Sequence, residues 1–441
     1  MLPDYLAKAV PNPMGKRAPW YANTAPSYAG IFLWIAFYNA IAEGTLTQSN
    51  LTVCFAGLIV AGLLCYALYY LVPAMLGMQT GFPLYVVGAS TFGTKGGYIM
   101  PGLLMGLLQI GWFAVATFFS ASFILQGLGM RADPGSASFI VAGVAWGCVM
   151  AWVGAKGIQY VAKVSLILNA IPLVMLLLVM FKTAGTAGDY AVPAGKDNPY
   201  VAFSTLLAVV IGFFATAGAA GADFGTNSRH GRDVRWGGLV GITLAVLIAG
   251  GLPLIAVAGA HGANPALAGF KFEDVIKVIG GPVASAMFFL FAIASIPPTC
   301  FCAFIAGNSF STMIPGVPRV ASTMAGAAIG IVLAITGVAA NLISFFTIVG
   351  ASFGPICGAM AADYLLSGKR WSGPRRGVNF AGYIAWLIGF VVGILPFLVP
   401  DDLKPRVQPA VVYSFITGFV LYAVLAKAGL QPKVVEMPKA A

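Results

Sequence analysis

The sequence predicts an all-α polytopic membrane protein of about twelve transmembrane helices. Three observations predict it: 59% of the 441 residues are hydrophobic, only 8% are charged, and apolar runs recur along the whole chain. Mean hydropathy is +0.91. Soluble domains carry about a quarter charged residues, so a chain this poor in charge cannot cover a water-facing surface and needs lipid as its solvent.

A bilayer core of about 30 Å needs about 20 mostly apolar residues per helix. On that scale the spans fall near 28–47, 51–75, 98–127, 137–156, 159–181, 201–224, 236–260, 281–306, 318–338, 341–365, 378–399 and 409–428. If the N-terminus is inside, seventeen of the 24 basic residues lie in cytoplasmic segments, among them Lys16, Arg17, Lys95, Arg229, Arg232, Arg235, Arg375 and Arg376. The other seven, including Lys182, Lys271 and Lys277, lie outside. Positive residues accumulate on the cytoplasmic side, which places both termini in the cytoplasm of an inner (plasma) membrane. The net charge of +11 is therefore topological, and no nucleic-acid partner is expected. Residues 1–27 hold Pro3, Pro11, Pro13 and Pro26 and lack the apolar stretch of a cleavable signal. The six cysteines fall inside apolar runs, as buried small side chains do, and Cys300-Phe-Cys302 lacks the spacing and histidines of a zinc site.

Two spans are poor continuous helices. The first contains Phe37-Tyr38-Asn39 followed by Glu43-Gly44, and the sixth runs Thr216-Ala-Gly-Ala-Ala-Gly-Ala-Asp223-Phe-Gly225. Each sets a carboxylate beside glycine, at comparable places in two successive blocks of five spans. Paired interruptions in two halves point to a transporter built from inverted repeats, with unwound backbone at mid-membrane coordinating solute and ion. The blocks are residues 28–181 and 201–365, followed by spans 11 and 12 (378–428) and a cytoplasmic tail (429–441). Span 4 carries Gly143-x-x-x-Gly147, the spacing of a close helix contact. Span 8 carries Ala294-Ser-Ile-Pro297-Pro298-Thr-Cys; paired prolines free carbonyls, which suits either a kinked packing helix or a bend that faces a cation.

Gln109, Trp112, Phe113 and Ala116 of span 3 share a helical face, joining an amide to an aromatic surface. A planar heterocycle could stack on Trp112 while its edge meets Gln109. Tyr38 and Asn39, beside the first interruption, are further candidates for solute contact. Intramembrane acids are expensive in lipid and functional by default. Glu43 is read as the proton-linked group. Asp223 serves either there or in an ion pair with Arg229, Arg232 or Arg235, and Asp363 anchors the end of span 10. His230 and His261 are read as surface loop residues.

The pieces Gly77-Met-Gln-Thr-Gly81, Phe92-Gly-Thr-Lys-Gly96, Gln109-Ile-Gly-Trp-Phe113, Gly221-Ala-Asp-Phe224, Pro355-Ile-Cys-Gly358 and Ala362-Asp-Tyr364 stand in an order and spacing that resembles the nucleobase:cation symporter family, which includes bacterial cytosine permeases and fungal purine-cytosine permeases. The resemblance runs from about residue 25 to 430. It implies a LeuT-like fold, with spans 1–5 and 6–10 as inverted repeats and two helices appended. It further implies that Trp112 stacks on a nucleobase ring, Gln109 binds its edge, and Phe214 and Thr216 line the opposite wall. Sodium-coupled members place adjacent hydroxyls in span 8, where this chain has Pro297-Pro298 and then Thr299-Cys300. That departure favours H+ over Na+ as the coupling ion, although Ser295 and Thr299, four residues apart, could offer hydroxyls to a cation, with Thr299 also within reach of solute. No metal or other cofactor is expected, and the chain is taken to act as a monomer. Two other readings stand beside this one: the same fold carrying an amino acid or other small solute, and a membrane-embedded enzyme, for which no nucleophile–base pair or ligand cluster lies in any span.

Overall fold

Hydrocarbon offers no partner to a bare peptide group, so an apolar run can cross a membrane only with its backbone bonded to itself. The computed structural model describes residues 2–437, and there the chain is helical throughout, with two isolated bridges (Ala18 with Ser228, Arg375 with Val434) as the only β pairing. The tail from residue 438, with Lys439, lies outside the described residues. Among the described residues, nine helices are long and apolar enough to cross a membrane: Leu51–Thr80, Gly96–Gly127, Ala137–Lys156, Ile167–Asp189, Pro199–Ala219, Gly231–Ala263, Gly281–Met313, Leu342–Leu366 and Ala410–Lys427. A tenth span is the bent pair Thr24–Phe32 and Ile35–Thr45, and Arg319–Ile335 and Phe380–Gly393 are shorter apolar helices. In chain order these correspond to the twelve expected spans and are numbered 1 to 12 below.

Span 1 breaks, but not where expected. Its two arms meet at 58° across Leu33 (φ −81°, ψ 62°) and the extended Trp34 (φ −141°, ψ 132°), with the Trp34 N–H bonded to Phe32 O at 2.9 Å. Glu43-Gly44 lies instead in the last turn of the second arm. Gly44 lets span 6 approach, since a Cβ there would stand 3.3 Å from the Thr205 methyl. It is a packing glycine, and the hinge is carried by two large residues whose side chains are fixed elsewhere. Span 6 is interrupted at Ala220, between Pro199–Ala219 and Gly221–Gly225. Span 8 is interrupted at Ser295, with Pro297 in the first turn of the second segment, where its missing N–H breaks no bond. Span 11 stops at Gly393, just before Pro396 starts a short turn.

Side-chain and backbone contacts sort the loops onto two ends. At one end the N-terminal segment reaches spans 2, 3 and 6: Arg17 Nη1 donates to Met78 O (2.6 Å) and Tyr5 Oη to Thr94 O (2.8 Å), while Ala18 N–H bonds Asn227 O. The 10–11 loop joins them through Thr94 N–H to Arg375 O (2.7 Å) and Asn379 N–H to Phe92 O (2.9 Å). Arg376 N–H to Lys433 O adds the C-terminal tail. At this end Asp363 does more than close its helix. Its buried carboxylate receives Arg375 Nη2 at 3.0 Å and Tyr422 Oη at 2.9 Å, and Asn379 and Gln431 amides also reach the Tyr422 oxygen. The opposite end gathers loops 1–2, 5–6, 7–8 and 11–12, through Tyr190 with Leu46 O, Asn198 N–H to Gln48 O, and Tyr200 Oη to Gln408 O.

Two surface assignments change. His261 is enclosed because span 7 continues to Ala263; its ring stacks on Phe270 (3.9 Å, 10°) and its Nε2 lies 3.0 Å from Gly269 O. His230 stays exposed, capping the helix that follows it. Cys148 faces outward from span 4 instead of inward. Gly143 and Gly147 press against Ile335 and Ile331 of span 9, the close contact their spacing predicts.

Removing one partner of a buried ion pair leaves the other charge stranded, at about 3–5 kcal/mol. Asp363→Ala is therefore expected to lower the thermal unfolding temperature of the detergent-solubilised protein sharply. Asp4→Ala, which removes an exposed pair with Lys8, should leave it unchanged.

Candidate functional site

Span 3 kinks at Met100 (φ −124°, ψ 116°) and then runs unbroken from Leu104 to Gly127 through the middle of the bundle, so its side chains meet each of the other interrupted spans. Trp112 is its centre. The indole N–H donates to Thr216 Oγ1 of span 6 at 3.2 Å, four residues before the Ala220 interruption. Around the ring stand Trp34 at the span 1 break (5.9 Å), Phe213 of span 6 (5.2 Å, edge-on), and Phe345 (4.9 Å, edge-on) and Phe346 (5.5 Å, 31°) of span 10. Phe213 also packs on Phe37 at 4.7 Å. The expected chamber is thus filled by aromatic side chains in this conformation, and the ring closest to parallel with the indole is that of Phe346.

The polar atoms of this cluster are few. Trp34 Nε1 is buried without a hydrogen-bond partner, and the Gln109 amide reaches only the Met105 sulfur at 3.7 Å. A buried donor left unpaired costs about 1–3 kcal/mol, so both can gain from a ligand with carbonyl or ring-nitrogen acceptors. Phe214 lies behind this layer. It stacks on Phe32 (5.6 Å, 14°) and touches Tyr28, and so braces the first arm of span 1.

Several expected site residues sit elsewhere. Phe113 points away from Trp112 into a separate apolar cluster with Met150, Ala303 and Ile331, because one residue turns a helix by about 100°. Tyr38 and Asn39 lie beyond the cluster, toward the end with the 7–8 loop: Tyr38 packs edge-on to Phe272 (5.5 Å), and Asn39 Oδ1 accepts the Glu273 N–H (3.1 Å). Glu43 is half-exposed and 3.9 Å from Lys271, outside any mid-membrane site. Asp223 is exposed beside its interruption, and the arginine expected to pair with it turns to another acid: Arg229 meets Asp233 at 3.6 Å. In span 8, Ser295 Oγ bonds Ala292 O (2.6 Å) and the Ser120 hydroxyl of span 3, while Thr299 Oγ1 donates to Ser295 O at 2.6 Å. The bend is capped by its own hydroxyls.

Two clefts open on the molecule. One of about 210 Å³ is lined by Asn39, Glu43, Phe119, Lys271, Asn341 and Ile343, at the same end as the 7–8 loop. Phe119 at its floor reaches Trp34 at 6.4 Å, which connects the cleft to the Trp112 cluster. The other, about 510 Å³, runs between spans 5 and 8 along Met175, Leu178, Met287 and Leu290. Its walls are almost wholly apolar and face where acyl chains would lie.

The geometry is that of a membrane carrier, and comparison with known proteins names the kind. A family model described as permease for cytosine/purines, uracil, thiamine, allantoin matches residues 11–420. The chain belongs to that permease family. The cytosine permease of Escherichia coli strain K12 is 27% identical over 380 residues, covering 84% of this chain and 86% of the relative; that of E. coli O157:H7 matches over the same extent. Among solved structures, the inward-facing form of the transporter Mhp1 aligns with TM-score 0.73 and 17% identity, covering 98% of this permease and 95% of Mhp1. Mhp1 of the nucleobase-cation-symport-1 family, closed with bromovinylhydantoin bound, aligns at 0.71 with 17% identity, covering 97% and 95%. A Na+-coupled sialic acid symporter shares the fold at 0.60 and 13% identity, covering 98% and 93%.

Sequence reading missed Trp34, Phe213, Phe345 and Phe346. Only a Phe-Phe doublet in span 10, matching Phe213-Phe214 in span 6, marked them. Thr216→Val would strand the indole N–H, and the expected result is a loss of about 1–3 kcal/mol in thermal or denaturant unfolding. Phe113→Leu should cost less than about 1.5 kcal/mol and leave the tryptophan emission maximum unmoved.

Proposed function

We propose that this permease imports a nucleobase or a related planar N-heterocycle by proton-coupled alternating access, with both termini in the cytoplasm. The observation that carries the reading is the Trp112 indole, tied through Thr216 to the span 6 interruption and flanked by the span 1 break. One flat face is roofed by the phenyl ring of Phe346, 5.5 Å away and tilted by 31°. Planar rings exchange readily for one another in such a stack, because each buries similar area and offers the same edge and face electrostatics. The solute takes the place of Phe346 on the indole and is held at its edge by Gln109 and the Trp34 N–H. Thr216 fixes the indole without being free itself.

Entry then runs from the Asn39–Phe119 cleft to Trp34, and the two structural bundles rock about the breaks in spans 1, 6 and 8. Proton coupling is favoured over sodium because the Ser295 and Thr299 hydroxyls are already bonded to backbone and to Ser120, and prolines stand where adjacent hydroxyls would be needed. The names of the relatives support a pyrimidine or purine as cargo. The basic residues gathered at the N-terminal end support the orientation, since that end is the one retained inside.

Uptake of radiolabelled cytosine, uracil, purines and hydantoins into vesicles, with proton and sodium gradients imposed separately, tests this. Uptake driven by the proton gradient alone is expected; sodium-driven uptake, or none across the panel, would overturn it. Base–aromatic stacking is worth about 1–3 kcal/mol, so Trp112→Ala should weaken base binding about 5- to 150-fold in a thermal-shift titration. Phe346→Ala should leave binding in place and abolish the occluded state, seen as transport lost faster than affinity.

A further inference from the structure

The 7–8 loop carries one short amphipathic helix, Phe272–Ile279, held between glycines that adopt left-handed backbone: Gly269 (φ +90°) on one side, Gly280 (φ +66°) and Gly281 (φ +61°) on the other. Such residues turn the chain at little steric cost, so glycine turns bound the helix at both ends. It lies on the second arm of span 1, through Phe272 against Tyr38 and through the Glu273 N–H on Asn39 Oδ1. The seam between them is polar and incompletely paired. Tyr38 Oη, Asn39 Nδ2 and Glu273 Oε2 are all buried without a hydrogen-bond partner, and Asn39 is only 2% exposed. A seam of this kind costs free energy to close while its acid is charged.

We propose that Glu273 is the residue that takes up the coupling proton, and that its protonation closes this helix onto span 1 over the Asn39–Phe119 cleft. The inference rests on the proton-coupled reading above and moves the role assigned from the sequence to Glu43 onto an acid one loop away. Glu43 is exposed to water and faces Lys271, so closure gains little by protonating it. Glu273 has only 13% of its side chain exposed, and burial pushes its carboxyl above the ordinary glutamate value. The surrounding charges do not reverse that. Lys277 Nζ, at 3.7 Å, Lys271 and the Asn39 side chain pull it down, while Asp274 pushes it up. Span 1 contributes neutral Tyr38 and Asn39 besides Glu43. Span 7 contributes His261, bonded to the loop at Gly269. The facing part of span 8, Gly281–Ala294, contains no titratable residue.

The sign follows. A carboxyl whose value is higher in the closed state binds a proton on closing, so closure is favoured at low pH and lost as pH rises through the closed-state value. Acid on the cleft side therefore favours the shut entrance. One such group changes the closure equilibrium by at most about tenfold per pH unit.

Hydrogen exchange of residues 272–279 in purified wild-type protein between pH 5 and 8, corrected for the intrinsic pH dependence, reads the closure without any solute. Protection should fall several-fold as pH rises. Glu273→Gln should keep the low-pH protection throughout, and Glu273→Asp should restore the dependence. Flat protection in the wild type, or wild-type dependence in Glu273→Gln, overturns the proposal. In vesicles that take up base, Glu273→Gln should lose base-driven proton entry while Glu43→Gln keeps it. Wild-type vesicles that take up no base would count against the transport reading alone, since the exchange result stands without it.

Discussion

Everything in this molecule follows from one constraint: inside hydrocarbon a peptide group without a partner has nowhere to turn. Besides the kink at Met100 in span 3, three helices are nevertheless interrupted, at Leu33–Trp34, Ala220 and Ser295. Each interruption is protected locally, by the Trp34 N–H folding back on Phe32 O, by the Ala220 N–H on Thr216 O, and by the Ser295 hydroxyl on Ala292 O. Each then meets span 3: Trp112 packs on Trp34 at the first and bonds Thr216 one turn before the second, and Ser120 bonds Ser295 at the third. The aromatic cluster is therefore both the cover that permits the breaks and the surface that a flat solute would use. A charged or hydrated filling could cover the breaks equally well, but it would leave the indole nothing to stack upon.

The two ends of the bundle are built to different stiffness. At the N-terminal end, main-chain bonds sew the 2–3 loop to the 10–11 loop, the tail adds another strand of contacts, and Asp363 holds Arg375 and Tyr422 in a buried knot. At the other end the corresponding acid–base pair, Glu43 with Lys271, is exposed and 3.9 Å apart, and exposed pairs contribute little. The loop helix there is bounded by glycine turns.

How much of this was legible in the sequence depends on the length of the pattern involved. Spans are written over some 20 residues each, so hydropathy placed a helix at each of the twelve expected positions, ten of them long and apolar enough to cross if the bent pair is one span; span 4 fell on 137–156, as observed. Single turns are written over three or four residues, and there local chemistry misled. Glu43-Gly44 has the composition of a break and is a helix end, while Leu33-Trp34 has the composition of a helix and is the break. The reason is tertiary: Trp34 is drawn out of helical conformation by the packing of its indole against Trp112 and Phe213, which no local propensity records. Phe113 failed for a related reason, since a helical stripe wide enough to hold positions 109, 112 and 113 spans two different neighbours in a bundle where span 3 is surrounded. Trp112 and Thr216 were legible as separate residues through the resemblance. Their hydrogen bond was not, because it joins positions 104 residues apart.

The filled state of the site also bears on how selectivity can arise. Because Phe346 already packs on the indole, tilted by 31°, part of what a solute gains by stacking there is offset by the phenyl contact it displaces. What a heterocycle can add is at its edge, where the Trp34 N–H and the Gln109 amide are poorly satisfied. Binding a polar ring in place of phenyl converts those unpaired groups into hydrogen bonds, worth more in a buried setting than in water because leaving them unmade is expensive. A purely apolar ring of the same shape would restore only what Phe346 supplied. On the proposed reading, discrimination between flat solutes would be set by donors and acceptors on the ring perimeter, with the aromatic walls acting as a filter for shape.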